Sequence, residues 1–370
     1  MIWDLPNLLV CLMIIFAAYL LGKIKASHAL CLALISFAPY CLNGVLFDPH
    51  YMPDQFTYWR MLSSIRDFDY NSNFYNSRVT EAAYMYALFP LPFVETVNSL
   101  GFFNKFLMIS VFIWASAVLR LRGWILWFLL FYPSLILYSS LGLRDMLICT
   151  FMLMALWTLM RGWYLFTVIC LILLVQIKMQ NALLVVLFSA VYLFDKYSNL
   201  HYTKKQVLVL LTLFGTLIYL AFPFLVNKIE YYRLSMYLED GGLLADYHAI
   251  VSLGDCIWQV ALGLFRALFY PLPWMAKTKL QLLQSLENIA VIGVLAVFTW
   301  RSYQALPKQT LMWFCFFLSG MCMYGLIVSN VGTIVRYKLP FIVVYLIFLS
   351  YERVRYTPKQ LRPQSYALTS

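Results

Sequence analysis

GWILWFLLFYPSLILYSSLGLRDMLICTFMLMALWTLMRGWYLFTVICLILLVQI, residues 123–177, carries only three charged side chains, Arg144, Asp145 and Arg161, and all three fall at its two interruptions. The runs they separate, 123–141, 145–160 and 163–177, have no polar face. A helix in water needs such a face, because only one stripe of it can be buried. At 1.5 Å per residue, runs of this length cover most or all of a hydrocarbon layer about 30 Å thick. Three membrane helices are therefore predicted in succession.

The same reading extends over the chain. Apolar runs recur at 5–22, 27–46, 102–119, 182–194, 206–226, 283–300, 310–329 and 340–351, giving eleven predicted spans in one integral domain of 370 residues. Composition agrees: 63% of residues are hydrophobic and only 12% charged, too few to clothe a soluble fold of this size. The eight cysteines lie mostly within apolar runs, without a CxxC or other metal-ligand spacing, so neither a disulfide framework nor a metal site is expected. A net charge of +11 could point to nucleic acid, but the lysines and arginines are dispersed between apolar runs, which excludes that class of partner.

Short cytoplasmic loops retain Lys and Arg, and Lys23, Lys25, Arg120, Arg122, Arg161, Lys196, Lys204 and Lys205 all follow alternate spans. The N-terminus is thus expected outside and the basic C-terminal tail inside. This requires 258–275 (WQVALGLFRALFYPLPWM) to be re-entrant or interfacial, as Arg266, Pro271 and Pro273 already argue. Two larger polar segments, 47–101 and 227–282, are then outer loops. Residues 81–98, with Pro90 and Pro92, read as an amphipathic or broken helix at the outer surface.

Sorted by this topology, the inner side has fourteen basic residues against two acids, a net of +12, and the outer side thirteen against fourteen, a net of −1. The inner excess is explained by insertion and by anionic lipid headgroups. Arg144, Lys178, Arg266, Arg336 and Lys338 are not so explained, since they stand outside, at span ends or within apolar sequence. Each needs compensation, either by internal pairing, as with Arg144 beside Asp145, or by an anionic ligand such as a diphosphate. The outer segments add the groups that bind sugars: Asn71, Asn73, Tyr75, Asn76 and Glu81 in one, Tyr231, Tyr232, Tyr237 and Tyr247 in the other. The rings could equally form an interfacial aromatic belt.

An ordered set of short elements carries a resemblance. Pro53, Asp54 and Tyr58 follow the second run, and Glu81 comes later in the same loop. Pro133-Ser134 leads to the turn Gly142-Leu143-Arg144-Asp145, and Lys178 and Gln180 form a second turn. Arg266 precedes Tyr270-Pro271-Leu272-Pro273, and Asn330-Val331-Gly332-Thr333 leads into Arg336-Tyr337 and Pro340. In this order the chain resembles the Wzy-type O-antigen and capsule repeat-unit polymerases, including the EpsG-like proteins. It departs from them in having Asp145 after Arg144 and Lys178 where Arg is common.

The resemblance implies an all-α polytopic protein of GT-C-like architecture in the bacterial inner membrane. It implies a glycosyltransferase that joins undecaprenyl-diphosphate-linked oligosaccharides at the outer face without a cofactor, together with a chain-length-regulating partner. In that reading Arg144, Arg266 and Arg336, with Lys178 assisting, stabilise the departing diphosphate, and the base is sought among Asp54, Glu81, Asp145, Asp255 and His248. Asp145, Lys178, Gln180, His248, Asn330, Tyr337 and Lys338 are the expected substrate-binding residues.

Two other functions are weighed against it. A transferase using polyprenyl-phosphate sugars would draw on Asp48, Asp54, Asp67 and Asp69, but no adjacent acidic pair opens that loop. A transporter of lipid-linked sugars would be expected to show repeated halves, and none is visible.

Overall fold

The computed structural model describes residues 2–46, 48–68, 77–197, 204–239, 241–276, 278–328 and 330–360. Asp69, Asn71, Asn73, Tyr75 and Asn76 lie outside the described residues. Among the described residues there are fifteen α-helices and no strand. Six helical segments are long and apolar enough to cross a membrane: Ile2–Leu20, Val97–Ala117, Tyr164–Tyr197, Gln281–Ala305, Pro307–Ile327 and Gly332–Tyr356. The expectation of a helical membrane protein with several spans holds at that level. The contacts divide the chain into two compact units.

The first unit comprises Met1–Val185, Trp300–Trp313 and Leu339–Ser370. It begins with α1 (Leu5–Leu20), α2 (Ala26–Ile35) and α3 (Ala38–Leu42). The segment read as the first outer loop is largely helical, with α4 (Asp54–Arg66) and α5 (Ser77–Ala87). Then come α6 (Val97–Ala117), α7 (Trp124–Phe131), α8 (Pro133–Tyr138), α9 (Asp145–Arg161) and the start of α10 (Tyr164–Tyr197). The predicted run 123–141 is two helices because Pro133 holds Tyr132 in an extended conformation (φ −72°, ψ 105°) and restarts the helix at its own position.

Helix α6 is the hub, packed on α1, α3, α4, α7 and α9. Its N-terminus is tied down by Asp4, whose carboxylate accepts from Thr96 Oγ1 at 2.7 Å and Ser99 Oγ at 2.5 Å. The Pro90/Pro92 segment cannot organise its own carbonyls, since proline lacks an N–H. Arg66 takes them instead, donating to Leu91 O at 2.5 Å and Phe89 O at 3.0 Å. Along α10 the reverse of a soluble pattern holds, with Phe166, Ile172, Leu187 and Phe194 all exposed. Such a surface belongs against lipid.

The second unit comprises Val186–Thr299 and Phe314–Lys338. It contains α11 (Lys204–Glu239) and α12 (Leu253–Phe269), most of α13 (Lys279–Ala305), and parts of α14 (Pro307–Ile327) and α15 (Val331–Gln360). Residues 227–239, read from sequence as loop, continue α11 as helix. Polarity marked the end of the apolar run there, while Lys, Glu, Leu and Met kept the helix going. Helix α12 starts with a capping box: Ser252 Oγ accepts from the Asp255 N–H, and Asp255 accepts from the Ser252 N–H at 2.9 Å. This helix is amphipathic and is not among the six long apolar segments.

Candidate functional site

Two clusters carry the predicted residues, one in each unit. In the first unit the turn before α9 presents Arg144, and three helices fix its backbone. Asn104 of α6 donates to Leu141 O at 2.6 Å and Leu143 O at 2.5 Å. Tyr86 of α5 donates to Asn104 Oδ1 at 2.6 Å and also reaches Leu143 O at 2.9 Å. Gln55 of α4 accepts from Gly142 N at 2.9 Å. Gly101 of α6 admits this turn, because a Cβ there would lie 3.1 Å from the Ser140 carbonyl carbon and nearer still to its oxygen.

Arg144 then meets a broken helix. Lys178 has non-helical angles (φ −153°, ψ 87°) inside α10, which kinks the helix there. Arg144 Nη1 donates to the carbonyl just before it, Ile177 O, at 3.0 Å. The end of a half-helix carries partial negative charge, which suits a guanidinium. Arg144 also lies 5.9 Å from the Tyr58 ring centroid. Asp145, at the first position of α9, is buried, and Lys178 is nearly so. Gln180 Oε1 is buried, and among the described residues no hydrogen-bond partner is seen for it. Asp54 is exposed in the first turn of α4, and Glu81 is half-buried on α5.

A fully buried lysine, Lys105, was not singled out by sequence. It donates to Ser139 Oγ at 2.8 Å and approaches Ile136 O at 3.4 Å, so its charge sits at the C-terminal end of α8. Its presence inside an apolar run was the signal.

In the second unit a cavity of about 430 Å³ opens between α11, α12, the 246–248 segment and the end of α14. That volume falls in the range of small-molecule sites, roughly 300–1,000 Å³. Arg233, Tyr237, Asp246, Tyr247, His248, Trp258, Gln259 and Arg266 give it polar and aromatic walls, and Leu262 and Gly325 to Val328 complete it.

The two arginines differ. Arg233 is committed to the protein: it pairs with Glu230 at 2.5 Å, donates to Leu326 O at 3.1 Å, and reaches His248 O and Gln259 Oε1 at 3.4 and 3.5 Å. Arg266 is half-buried, and among the described residues no side-chain partner is seen for it. Tyr247 donates to Glu230 Oε2 at 2.9 Å, and its phenol is pushed up to about 12, first by burial and then by that acceptor. Sequence reasoning missed Arg233, although Glu230 three residues before it marks a helical pair.

The remaining predicted residues lie along α15 and just before it. Asn330 Oδ1 accepts from Gly332 N at 2.8 Å, opening the helix. Arg336 is largely buried, 5.7 Å from the Tyr337 ring, and Tyr337 lies 4.8 Å from Tyr324. Lys338 is buried and donates to Asn288 Oδ1 of α13. Among the described residues no cluster of three or more metal-ligating side chains occurs.

No family model, no curated protein and no solved structure matches the chain.

Proposed function

We propose that this protein is a membrane glycosyltransferase that polymerises lipid-diphosphate-linked oligosaccharide units, with undecaprenyl diphosphate as the carrier, at the outer face of the bacterial inner membrane. The observation that carries the reading is Arg266. A half-buried guanidinium with no described side-chain partner, lining a cavity with aromatic and hydrogen-bonding walls, is suited to an anionic ligand with a sugar attached. The topology that goes with it has eleven spans, the N-terminus outside and α12 lying at the outer surface. Its support is the charge pattern of the loops and the amphipathic character of α12.

In the reaction an acceptor hydroxyl on one lipid-linked unit attacks the anomeric carbon of the growing chain. The new C–O bond forms as the bond to the diphosphate breaks. The hydroxyl proton passes to a base, and the electron pair leaves on the diphosphate oxygen. Charge grows on that oxygen as the bond lengthens, so a preplaced Arg266 stabilises the transition state more than the ground state. Asp246 and His248 line the same cavity and are proposed as candidate bases. Arg336, in the same unit as Arg266, is proposed as a further anion contact.

The test is glycan extension by the purified full-length protein in detergent, supplied with lipid-linked repeat units extracted from the membranes of its own host. A ladder of longer glycans is expected. Arg266→Ala should slow it by about 100-fold, as loss of an oxyanion donor does. Unchanged glycan length with the active wild-type preparation, or a normal ladder from Arg266→Ala, would overturn the reading.

A further inference from the structure

Lys338 was expected to touch substrate; its ammonium is buried and donates to Asn288. Asn288 is itself buried, on α13. Its Nδ2 donates to Leu268 O at 2.8 Å and Tyr270 O at 3.3 Å. Those two carbonyls belong to the last turn and exit of α12, the turn that carries Arg266. The Tyr270 N–H closes that turn on Arg266 O at 2.9 Å.

The chemistry of the three partners permits one arrangement. An ammonium has donors only and the two carbonyls are acceptors only, so the amide must turn its oxygen to Lys338 and its nitrogen to α12. Were the amide reversed, its nitrogen would face the ammonium and its oxygen the two carbonyls, losing all three bonds. Lys338 and the two carbonyls together fix the orientation of Asn288, which ties Lys338 to the end of α12.

We propose that Asn288 and Lys338 are positioning residues: they act through the last turn of α12 to hold the Arg266 guanidinium at the cavity. The inference rests on the proposed role of Arg266 as the anion contact, and it makes Lys338 a support for that contact in place of a second one. Asn288 lies within an apolar run, 283–300, and nothing in its spacing connects it to Arg266.

The experiment uses the full-length protein in detergent, with farnesyl diphosphate as the anionic probe, in a cycle of Arg266→Ala, Asn288→Asp and the double variant. Asn288→Asp keeps an acceptor for Lys338 and removes the donors to α12. It should weaken binding about tenfold, the value of one to two lost hydrogen bonds. In the Arg266→Ala background it should weaken binding no further. Asn288→Gln, which retains both groups, should recover part of the loss, and Lys338→Met, which leaves the donors to α12 but removes their anchor, should give a smaller loss that also vanishes in the Arg266→Ala background.

If Arg266→Ala weakens binding and Asn288→Asp does not, or if Asn288→Asp acts equally in both backgrounds, the positioning role is wrong while the proposed function stands. If Arg266→Ala leaves binding intact, Arg266 is not the anion contact. Hydrogen exchange then decides the positioning role alone: the Tyr270 amide should exchange about tenfold faster in Asn288→Asp than in wild type, and an unchanged rate overturns it.

Discussion

Replacing Gly263 of α12 with alanine tests whether this helix is seated as described, because it approaches α14 backbone to backbone. A Cβ on Gly263 would lie 2.9 Å from Leu326 N and nearer still to the Gly325 carbonyl, where ordinary contact begins at 3.4 Å. The helices must part by at least about half an ångström, and no flexible side chain is available to yield. Overpacking of this kind costs about 1–3 kcal/mol, and the better helix propensity of alanine returns about 0.8–1 kcal/mol. A net loss of up to about 2 kcal/mol is expected from the difference of these ranges. It should also disturb the cavity, since Leu262, Arg266 and Leu326 all line it and Leu326 O accepts from Arg233. Gly293 of α13 supplies the control: a Cβ there meets nothing within 4 Å, so Gly293→Ala should be neutral or stabilising. Thermal unfolding of both variants in one detergent gives the comparison, with farnesyl diphosphate binding as the second readout. If Gly263→Ala unfolds at or above the temperature of Gly293→Ala, the close approach of α12 and α14 is refuted.

Arg144→Met should lower stability by about 1–3 kcal/mol, because it leaves Ile177 O without its donor at the break in α10, with Arg144→Lys falling between; thermal unfolding measures this. For Lys105 the order is reversed: Lys105→Met, which removes a buried charge and keeps the stem, should be neutral or stabilising, whereas Ser139→Ala, which strips the lysine of its hydroxyl, should cost about 1–3 kcal/mol. Melting temperatures in that order support the account, and a deeper loss for Lys105→Met refutes it. Tyr247 sets a pH limit. Its folded pKa of about 12 exceeds the ordinary 10.0, so its contribution is complete below pH 10 and is lost as pH rises toward 12. Unfolding curves should show this alkaline loss in wild type and less of it in Tyr247→Phe.

The helices were legible in the sequence because hydrocarbon demands long apolar runs, and every run predicted from 5–22 to 340–351 coincides with a helix or a pair of helices. Breaks at proline were also legible, as at Pro133. The break at Lys178 was legible as the turn between the runs 163–177 and 182–194, although both runs belong to the one kinked helix α10; the use of Ile177 O as an acceptor is recognisable only once Arg144 is seen beside it. The helical extension of α11 beyond residue 226 was hidden because polarity reports exposure to water and says little about backbone conformation. At the candidate site, Arg266 and His248 could be named from charge and position, but the separate fates of Arg266 and Arg233 depend on Glu230, Leu326 and Gln259, which only packing brings together. Asn288 was invisible for a related reason. Its function lies in a three-way donor and acceptor match with groups 18 to 50 residues distant.

The interruption at Lys178 has a mechanical consequence. A continuous helix resists bending because each degree of tilt stretches several backbone hydrogen bonds on one side. At Lys178 that regularity is interrupted, and α10 is two helical segments, 164–177 and 179–197, that meet at a kink. The carbonyl end of the first segment is held by Arg144, from the turn before α9, so its position depends on a side chain from outside α10 as well as on the helix's own backbone.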